Sequence, residues 1–220
     1  MSRNVTFAPG EYYHIYNRGT EKRSIFKTRA DYDRFLSLLY AANGNKAVHL
    51  QLQGRTLKEL AGTDRGETLV DLCAYCLMPN HFHLLIREKA PGGMSKFMQK
   101  LITGYTMYFN KRHDRTGSLF QGKFKATHAS EDTYLKYLMA YIHLNPIKLI
   151  EPGWKENGIK NMKRAKKYLY QYTGSSFPEY AGNTRVESAI INREALPDYF
   201  STSKEFIAEL GEWLNFKVEP

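Results

Sequence analysis

The sequence predicts a mixed α/β fold, an α+β sandwich with a ferredoxin-like split βαβ core, an antiparallel sheet, helices on its face and a C-terminal extension. Two observations predict this fold. Apolar residues alternate with a period of two in several short segments and recur every three or four residues between them, which indicates strands and helices respectively. These segments follow the order strand, helix, strand, strand, helix, strand, helix, which is typical of a split βαβ core.

The first half of this order lies before residue 90. Its predicted elements are a strand at 12–18, a helix at 30–42 and strands at 69–78 and 81–87. Pro79 and Asn80 separate the last two strands and favour a hairpin. Residues 48–53 predict a short additional strand, and the charged, glycine-containing stretch 54–67 predicts a loop insertion.

The second half contains the longer helices. Its predicted elements are a helix at 94–112, a strand at 124–129 and a helix from Ser130 to about Asn145. Ser130 is a good N-cap, because its hydroxyl accepts a hydrogen bond from the first turn, where acidic residues follow. This helix should end near Asn145, because a residue that precedes proline avoids the helical conformation.

Composition limits the class of protein. A hydrophobic content of 42% in 220 residues is enough for a core, and no run approaches the roughly 20 apolar residues that span a bilayer. We therefore expect a globular cytoplasmic protein without a membrane segment. Cys73 and Cys76 have C-x-x-C spacing, but positions three apart in a strand face opposite sides, so the sequence argues against a zinc or redox pair.

Positive charge is concentrated in the middle of the chain. The net charge is +10, and residues 94–128 hold seven Lys or Arg against one acid, a net of +6. A second basic run covers 155–167, whereas residues 178–220 hold eight acids against four bases, a net of −4. This distribution predicts a polyanion-binding surface, although a merely soluble surface is the alternative.

A histidine pair lies in the second strand of the hairpin. His81 and His83 are two residues apart, so both imidazoles should point to one face of the sheet. Two buried imidazoles are unfavourable unless they have a partner. The pair alone leaves open a strand with two satisfied histidines.

The last helix carries polar groups on one face. Tyr134, Tyr137, Tyr141 and Asn145 are spaced by three and four residues, so they form one stripe. An aromatic core stripe is the alternative for any single tyrosine. Two imidazoles, an amide oxygen and a nearby hydroxyl together would make an open metal site beside a nucleophile.

Four motifs in order resemble a known family. The His-Phe-His of residues 81–83 resembles the motif of HUH endonucleases, and the run Tyr-Ile-His-Leu-Asn-Pro at 141–146 resembles the catalytic helix of single-tyrosine transposases. With the runs at 13–19 and 117–124, the chain resembles the REP-associated tyrosine transposases over roughly residues 12–150. The resemblance implies an HUH domain at 1–150, followed by an extension at 151–220 that contacts DNA or covers the domain.

The resemblance also implies an activity. It implies a bacterial, nucleoid-associated transposase that nicks and rejoins single-stranded DNA at hairpin sites through a 5′-phosphotyrosine. Tyr141 would be the nucleophile, and His81, His83 and Asn145 would hold a divalent ion, Mg²⁺ or Mn²⁺. A monomer is favoured, because the extension could cover a sheet edge or the site, and a homodimer stays open.

Basic side chains interleaved with aromatic residues suit single-stranded DNA. The predicted DNA contacts are Asn17, Arg18, Arg112, Arg115, Lys123 and Lys125. Two alternatives remain. One is a non-catalytic module that binds single-stranded nucleic acid on a ferredoxin-like sheet. The other is a hydrolytic metal phosphodiesterase in which Tyr141 is only structural.

Overall fold

The sheet has four antiparallel strands. The computed structural model describes residues 5–46, 56–200 and 202–215. The strands are β1 (Tyr12–Arg18), β2 (Val70–Met78), β3 (His81–Glu88) and β4 (Lys125–His128). They lie in the order β2-β3-β1-β4, and each neighbouring pair is antiparallel. This is the order of a split βαβ core, so the predicted fold class is confirmed.

Helices lie on both sides of this sheet. In the described part of the chain they are α1 (Arg29–Ala42), α2 (Leu57–Leu60), α3 (Gly93–Arg112), α4 (Asp132–Leu144), α5 (Trp154–Asn157), α6 (Met162–Gln171), α7 (Phe177–Tyr180) and α8 (Ser203–Asn215). No helix among the described residues is long and apolar enough to cross a bilayer.

Two local predictions were wrong. The stretch predicted as a loop insertion contains α2, because Thr56 and Glu59 form a reciprocal capping box that satisfies its first turn. Ser130 is not the N-cap of α4; Glu131 is. The amide of Ala129 still donates to the Tyr12 carbonyl at 2.8 Å, so strand pairing continues to that point and the helix begins later. The predicted strand at 48–53 lies outside the described residues.

One side of the sheet, here called the core face, is mostly apolar. Tyr13 and Ile15 of β1 and Phe82, Leu84 and Ile86 of β3 point to it, and none is more than 1% exposed. These residues pack with α1 and α3 in one hydrophobic cluster. The alternation of β1 and β3 therefore leaves their intervening residues for the opposite side, here called the α4 face.

The α4 face has an apolar half over β2. There α4 packs with residues of the extension, and Phe177, Tyr180 and Phe206 are each no more than 2% exposed. Cys73 and Cys76 both belong to this cluster, so the prediction that they face opposite sides was wrong. A register shift between Leu72 and Ala74 marks an irregularity in β2, and one extra residue there reverses the alternation.

The extension also pairs with the free edge of β2. The Leu77 amide donates to the Gly174 carbonyl at 2.7 Å, and the Ser176 amide donates to the Tyr75 carbonyl at 3.1 Å. A Cβ at position 174 would lie 3.1 Å from the Leu77 carbonyl oxygen, so glycine permits this close approach. Residues 174–176 therefore occupy an edge that would otherwise be open to another strand. The division into domains at residue 150 stays a prediction.

Candidate active site

A cavity of about 280 Å³ opens on the α4 face, beside the apolar half. His81, His83, Tyr141 and Asn145 all line it. β3 supplies the two histidines, α4 supplies the tyrosine, and Asn145 directly follows α4. Folding thus brings the three predicted metal ligands and the predicted nucleophile to one cavity.

The rings of His81 and His83 are in edge-to-face contact. The centroids of His81 and His83 are 4.9 Å apart with an interplanar angle of 86°. His83 is 5% exposed, and its Nε2 is buried without a hydrogen-bond partner among the described residues. A buried polar atom of this kind is unfavourable unless it binds something.

The other ring nitrogen of each histidine is occupied. His81 Nδ1 lies 2.6 Å from the Asn80 side-chain oxygen, and His83 Nδ1 lies 2.9 Å from His14 Nε2. Metal-binding histidines commonly use one nitrogen for the ion and the other for such a partner. In both residues Nε2 has no such partner within the part of the chain that the structure describes.

These imidazoles are neutral at neutral pH. Burial lowers the pKa of His14 to about 4, and burial together with the positive charges of Arg18 and Lys148 lowers the pKa of His81 to about 4. Burial and the neighbouring His14 and His81 move the pKa of His83 well below its usual value. Neutral imidazoles keep the lone pair that a metal ion requires.

Tyr141 lies over His83. Its ring centroid is 5.2 Å from that of His83, and the rings are nearly perpendicular at 83°. The predicted stripe is present. The ring centroids of Tyr134 and Tyr137 are 6.0 Å apart, and those of Tyr137 and Tyr141 are 5.9 Å apart. Tyr134 and Tyr137 do not line the cavity. Of this stripe, Tyr141 is the tyrosine that lines the cavity.

Asn145 begins the 3-10 helix Asn145–Leu149 and is 1% exposed. Its amide nitrogen donates to the Tyr141 carbonyl at 3.1 Å, which leaves Oδ1 as the group available to a ligand. No cluster of three His, Cys, Asp or Glu side chains in the described residues is arranged to hold a metal. An ion here would therefore need the amide oxygen or ligands from substrate or water.

Positive side chains surround the cavity. Arg18, Lys125 and Lys148 line it, and Lys155 of α5 lies with Nζ 4.0 Å from the centroid of the Tyr141 ring. Burial, with the nearby charge of Lys148, lowers the pKa of Lys155 to about 8. A negatively charged substrate would be attracted to this rim.

The predicted DNA contacts divide into two groups. Asn17, Arg18 and Lys125 line the cavity, although the Asn17 side chain is 4% exposed and donates to the Gly122 carbonyl at 3.2 Å. The other three do not line it. Lys123 lines a separate pocket together with Val5, Thr6 and Phe7. Arg112 is 3.8 Å from Asp31, and Arg115 donates to Asn110 at 3.1 Å.

Sequence reasoning missed His14, Asn80, Lys148 and Lys155 as parts of the site. His14 lies in a predicted strand, but only the structure shows that this strand pairs with the one that carries His81 and His83. Asn80 directly precedes His81 and reads only as a turn residue. The sequence carries no signal for Lys155, because only the packing of the extension brings α5 over α4.

Comparison with known proteins gives a consistent result. The family model described as "Transposase IS200 like" matches residues 9–145. No curated protein sequence matches the chain. Among solved structures, a REP-associated tyrosine transposase bound to a REP hairpin is similar, with a TM-score of 0.53 and 12% identity over 85% of this chain and 90% of that one.

A second solved structure is less similar. The tRNA(His) guanylyltransferase of Saccharomyces cerevisiae has a TM-score of 0.38 and 10% identity, over 91% of this chain and 86% of that one. At that level the likeness contributes nothing to the argument. The first structure supports the fold, and the family match covers the strands and helix that carry the cavity.

Proposed function

The chain belongs to the family of IS200-like transposases, and on that premise we propose that it nicks and rejoins single-stranded DNA with Tyr141 as the nucleophile and a divalent metal ion as cofactor. Family membership makes it a DNA-processing enzyme. The observation that carries the proposal is the position of Tyr141, whose ring lies 5.2 Å from that of His83 over a cavity shared with His81 and Asn145.

The residues present fit a metal ion. His83 Nε2 is buried without a described partner, and the nonligating nitrogens of His81, His83 and Asn145 are each held by another group. Mg²⁺ or Mn²⁺ bound there would act as a Lewis acid that polarises a phosphate oxygen. Three protein ligands leave coordination positions for that oxygen and for water.

Tyr141 would perform the covalent step. Its hydroxyl oxygen attacks the phosphorus atom, a bond forms between them, and the bond from phosphorus to the 3′ oxygen breaks. The phenol proton passes to solvent, and the departing oxygen takes up a proton to become a 3′-hydroxyl. The product is a 5′-phosphotyrosine, and attack by another 3′-hydroxyl reverses the step and joins the strands.

The substrate we propose is single-stranded DNA that folds into a hairpin. The solved structure with a similar fold is bound to a REP hairpin, and this cavity has a basic rim of Arg18, Lys125 and Lys148. The rim would hold the scissile phosphate. Lys123, Arg112 and Arg115 lie away from the cavity, where they would contact the stem.

We propose that the protein acts as a monomer with its own Tyr141. The tyrosine lies against His83 of the same chain, so the site is complete without a second copy. Residues 174–176 also pair with the free edge of β2, so that edge is not open for a sheet shared between two copies.

The replacement of Tyr141 by Phe tests the nucleophile. We expect Tyr141→Phe to abolish both nicking and the covalent protein–DNA adduct in the presence of Mn²⁺, because only the hydroxyl is removed. Tyr134→Phe and Tyr137→Phe are matched controls on the same helix and should keep both activities. Binding of hairpin DNA should be unchanged in all three.

The same experiment separates the alternatives. A pure binding module would neither nick DNA nor form an adduct in any variant. A hydrolytic phosphodiesterase would nick DNA without an adduct, and Tyr141→Phe would retain nicking. Either pattern would overturn the proposal.

A further inference from the structure

The orientation of Asn80 determines which nitrogen of His81 carries the proton. The amide nitrogen of Asn80 donates to the Lys22 carbonyl at 3.2 Å, so its oxygen is the atom that faces His81 Nδ1 at 2.6 Å. An amide oxygen only accepts hydrogen bonds. Nδ1 of His81 therefore carries the proton, and in a neutral imidazole Nε2 then holds a free lone pair.

The contact between His14 and His83 leads to the same conclusion. Either His83 Nδ1 donates to His14 Nε2 across their 2.9 Å contact, or the proton lies on His14. In the second case His83 Nε2 would carry a proton and be a buried donor without an acceptor among the described residues. The first case leaves at Nε2 a lone pair that can bind a cation in the cavity, so it is the case that fits a metal site.

The His14 ring is itself held in place. It stacks on Tyr16 at 4.9 Å and on His83 at 5.0 Å, with interplanar angles of 30° and 25°. His14 is 7% exposed, and its Nε2 is occupied by His83, so that atom is not available as a further metal ligand. Its geometry is that of a support for a ligand.

We propose that His14 and Asn80 are positioning residues of the metal site, each holding Nδ1 of one histidine so that Nε2 of His83 and of His81 is presented to the ion. This inference rests on the proposed function, because it requires that an ion binds here. Partners of this kind orient metal-binding histidines and make them better ligands.

The wild-type protein allows a direct test without metal or DNA. Nitrogen-15 NMR of the imidazoles at neutral pH distinguishes the two neutral tautomers. We expect protonated Nδ1 and unprotonated Nε2 in both His81 and His83. A protonated Nε2 on either histidine would overturn the proposal.

Measurements of metal affinity test whether His14 and Asn80 strengthen metal binding. We expect His14→Leu and Asn80→Ala to weaken Mn²⁺ binding, measured by calorimetry on the full chain, by about 10- to 100-fold. His14→Gln keeps an acceptor for His83 Nδ1 and should bind within a few-fold of wild type. Wild-type affinity in His14→Leu would overturn the role of His14.

Different results would contradict the positioning role and the metal site itself. If wild-type protein binds Mn²⁺, loses it in His83→Ala and keeps it in both His14→Leu and Asn80→Ala, only the positioning role is wrong. If wild-type protein binds no Mn²⁺, or His83→Ala binds it equally, the metal site of the proposed function is wrong as well.

The extension places the ammonium group of Lys155 over the ring of Tyr141, the proposed nucleophile. Lys155 Nζ lies 4.0 Å from the centroid of Tyr141, on the ring that stands edge-on to His83. The electrostatic attraction between an ammonium group and an aromatic face favours this arrangement. We infer that Lys155 is a positioning residue that holds the Tyr141 ring in its attacking orientation.

Single-turnover kinetics test this role. We expect Lys155→Ala to slow adduct formation at saturating DNA by about 3- to 30-fold, from the usual strength of such contacts. Lys155→Arg should restore most of the rate, and Lys163→Ala, in the same basic run, should not change it. If Lys155→Ala raises only the DNA concentration needed for half-saturation, Lys155 is a phosphate contact and the positioning role is wrong.

Discussion

Phe82 and His83 are neighbours in β3, and they lie in opposite environments. Phe82 is fully buried on the core face with α1 and α3, whereas His83 points to the α4 face and lines a cavity with Tyr141. The backbone of the same strand positions both, because successive side chains alternate between faces. One strand can thus supply the stability of the fold with one set of positions and its chemistry with the other.

The largest effects should come from adjacent substitutions that separate these two roles. We expect His83→Ala to abolish metal-dependent cleavage while changing the free energy of unfolding by less than about 1 kcal/mol. Leu84→Ala should lower that free energy by about 2–5 kcal/mol, because it leaves a cavity in the core face. Urea unfolding and a cleavage assay on both variants measure the two effects.

Two results would contradict this separation of cleavage from stability. A loss of more than about 3 kcal/mol in His83→Ala would make His83 part of the core. Unchanged cleavage in EDTA by His81→Ala and His83→Ala would remove the metal site altogether.

The two halves of the α4 face make a second contrast. Over β2 this face is held by the extension, where Arg185 binds Glu179 through two hydrogen bonds of 2.7 and 2.9 Å and the Glu179 side chain is 2% exposed. We expect Arg185→Ala to lower the free energy of unfolding by about 3 kcal/mol, because it leaves a buried carboxylate unpaired. Urea unfolding measures this loss, and Arg185→Lys should recover part of it.

This prediction concerns stability only. The rate of adduct formation should be unchanged at temperatures where Arg185→Ala is folded, since neither residue lines the cavity. A loss of less than about 1 kcal/mol would show that the pair is not needed to hold the extension on the sheet.

A smaller effect should follow from Asn145→Ala. It removes one neutral amide oxygen and leaves both imidazoles in place, so Mn²⁺-dependent cleavage should fall less than in either histidine variant. Initial rates over a Mn²⁺ titration rank the three variants. A greater loss in Asn145→Ala than in His81→Ala would reverse the proposed order of the ligands.

The smallest effect concerns charges away from the cavity. Replacing Arg112 and Arg115 with Ala should reduce the slope of log affinity against log salt by about 0.7 per lost contact to a single strand and about 0.9 per contact to a duplex stem. Arg18 and Lys125, at the cavity, are the matched pair. Titrations at two salt concentrations measure both slopes. An unchanged slope in the variant without Arg112 and Arg115 would show that these residues do not contact the DNA stem. The basic run 155–167 would then be the next surface to test.

The parts of the fold that depend on local periodicity were predictable. β1 begins and ends where alternation predicted, and α3 differs from its prediction by one residue. Alternation also predicted that His81 and His83 share a face. The irregularity in β2 was not predictable, because an extra residue leaves the apolar pattern of a strand buried on both faces unchanged.

The parts that depend on long-range packing were not predictable. The support of His83 by His14 requires the register of β1 against β3, and periodicity does not specify which residues are paired. Lys155 reads as one member of a basic run, and only the docking of the extension places it on Tyr141. Sequence patterns therefore predicted the groups that line the cavity, whereas the residues that contact them required the structure.

Peptide mapping of the adduct tests most directly whether Tyr141 becomes covalently linked to DNA. The protein would be incubated with 3′-labelled hairpin single-stranded DNA and Mn²⁺, then digested with nuclease and trypsin. Cleavage after Lys136 and Lys148 separates Tyr134 from a peptide that holds Tyr137 and Tyr141, and fragmentation of that peptide distinguishes the last two. We expect a 5′-linked nucleotide on Tyr141. A nucleotide on Tyr134 or Tyr137, or cleaved DNA with no modified peptide, would contradict it.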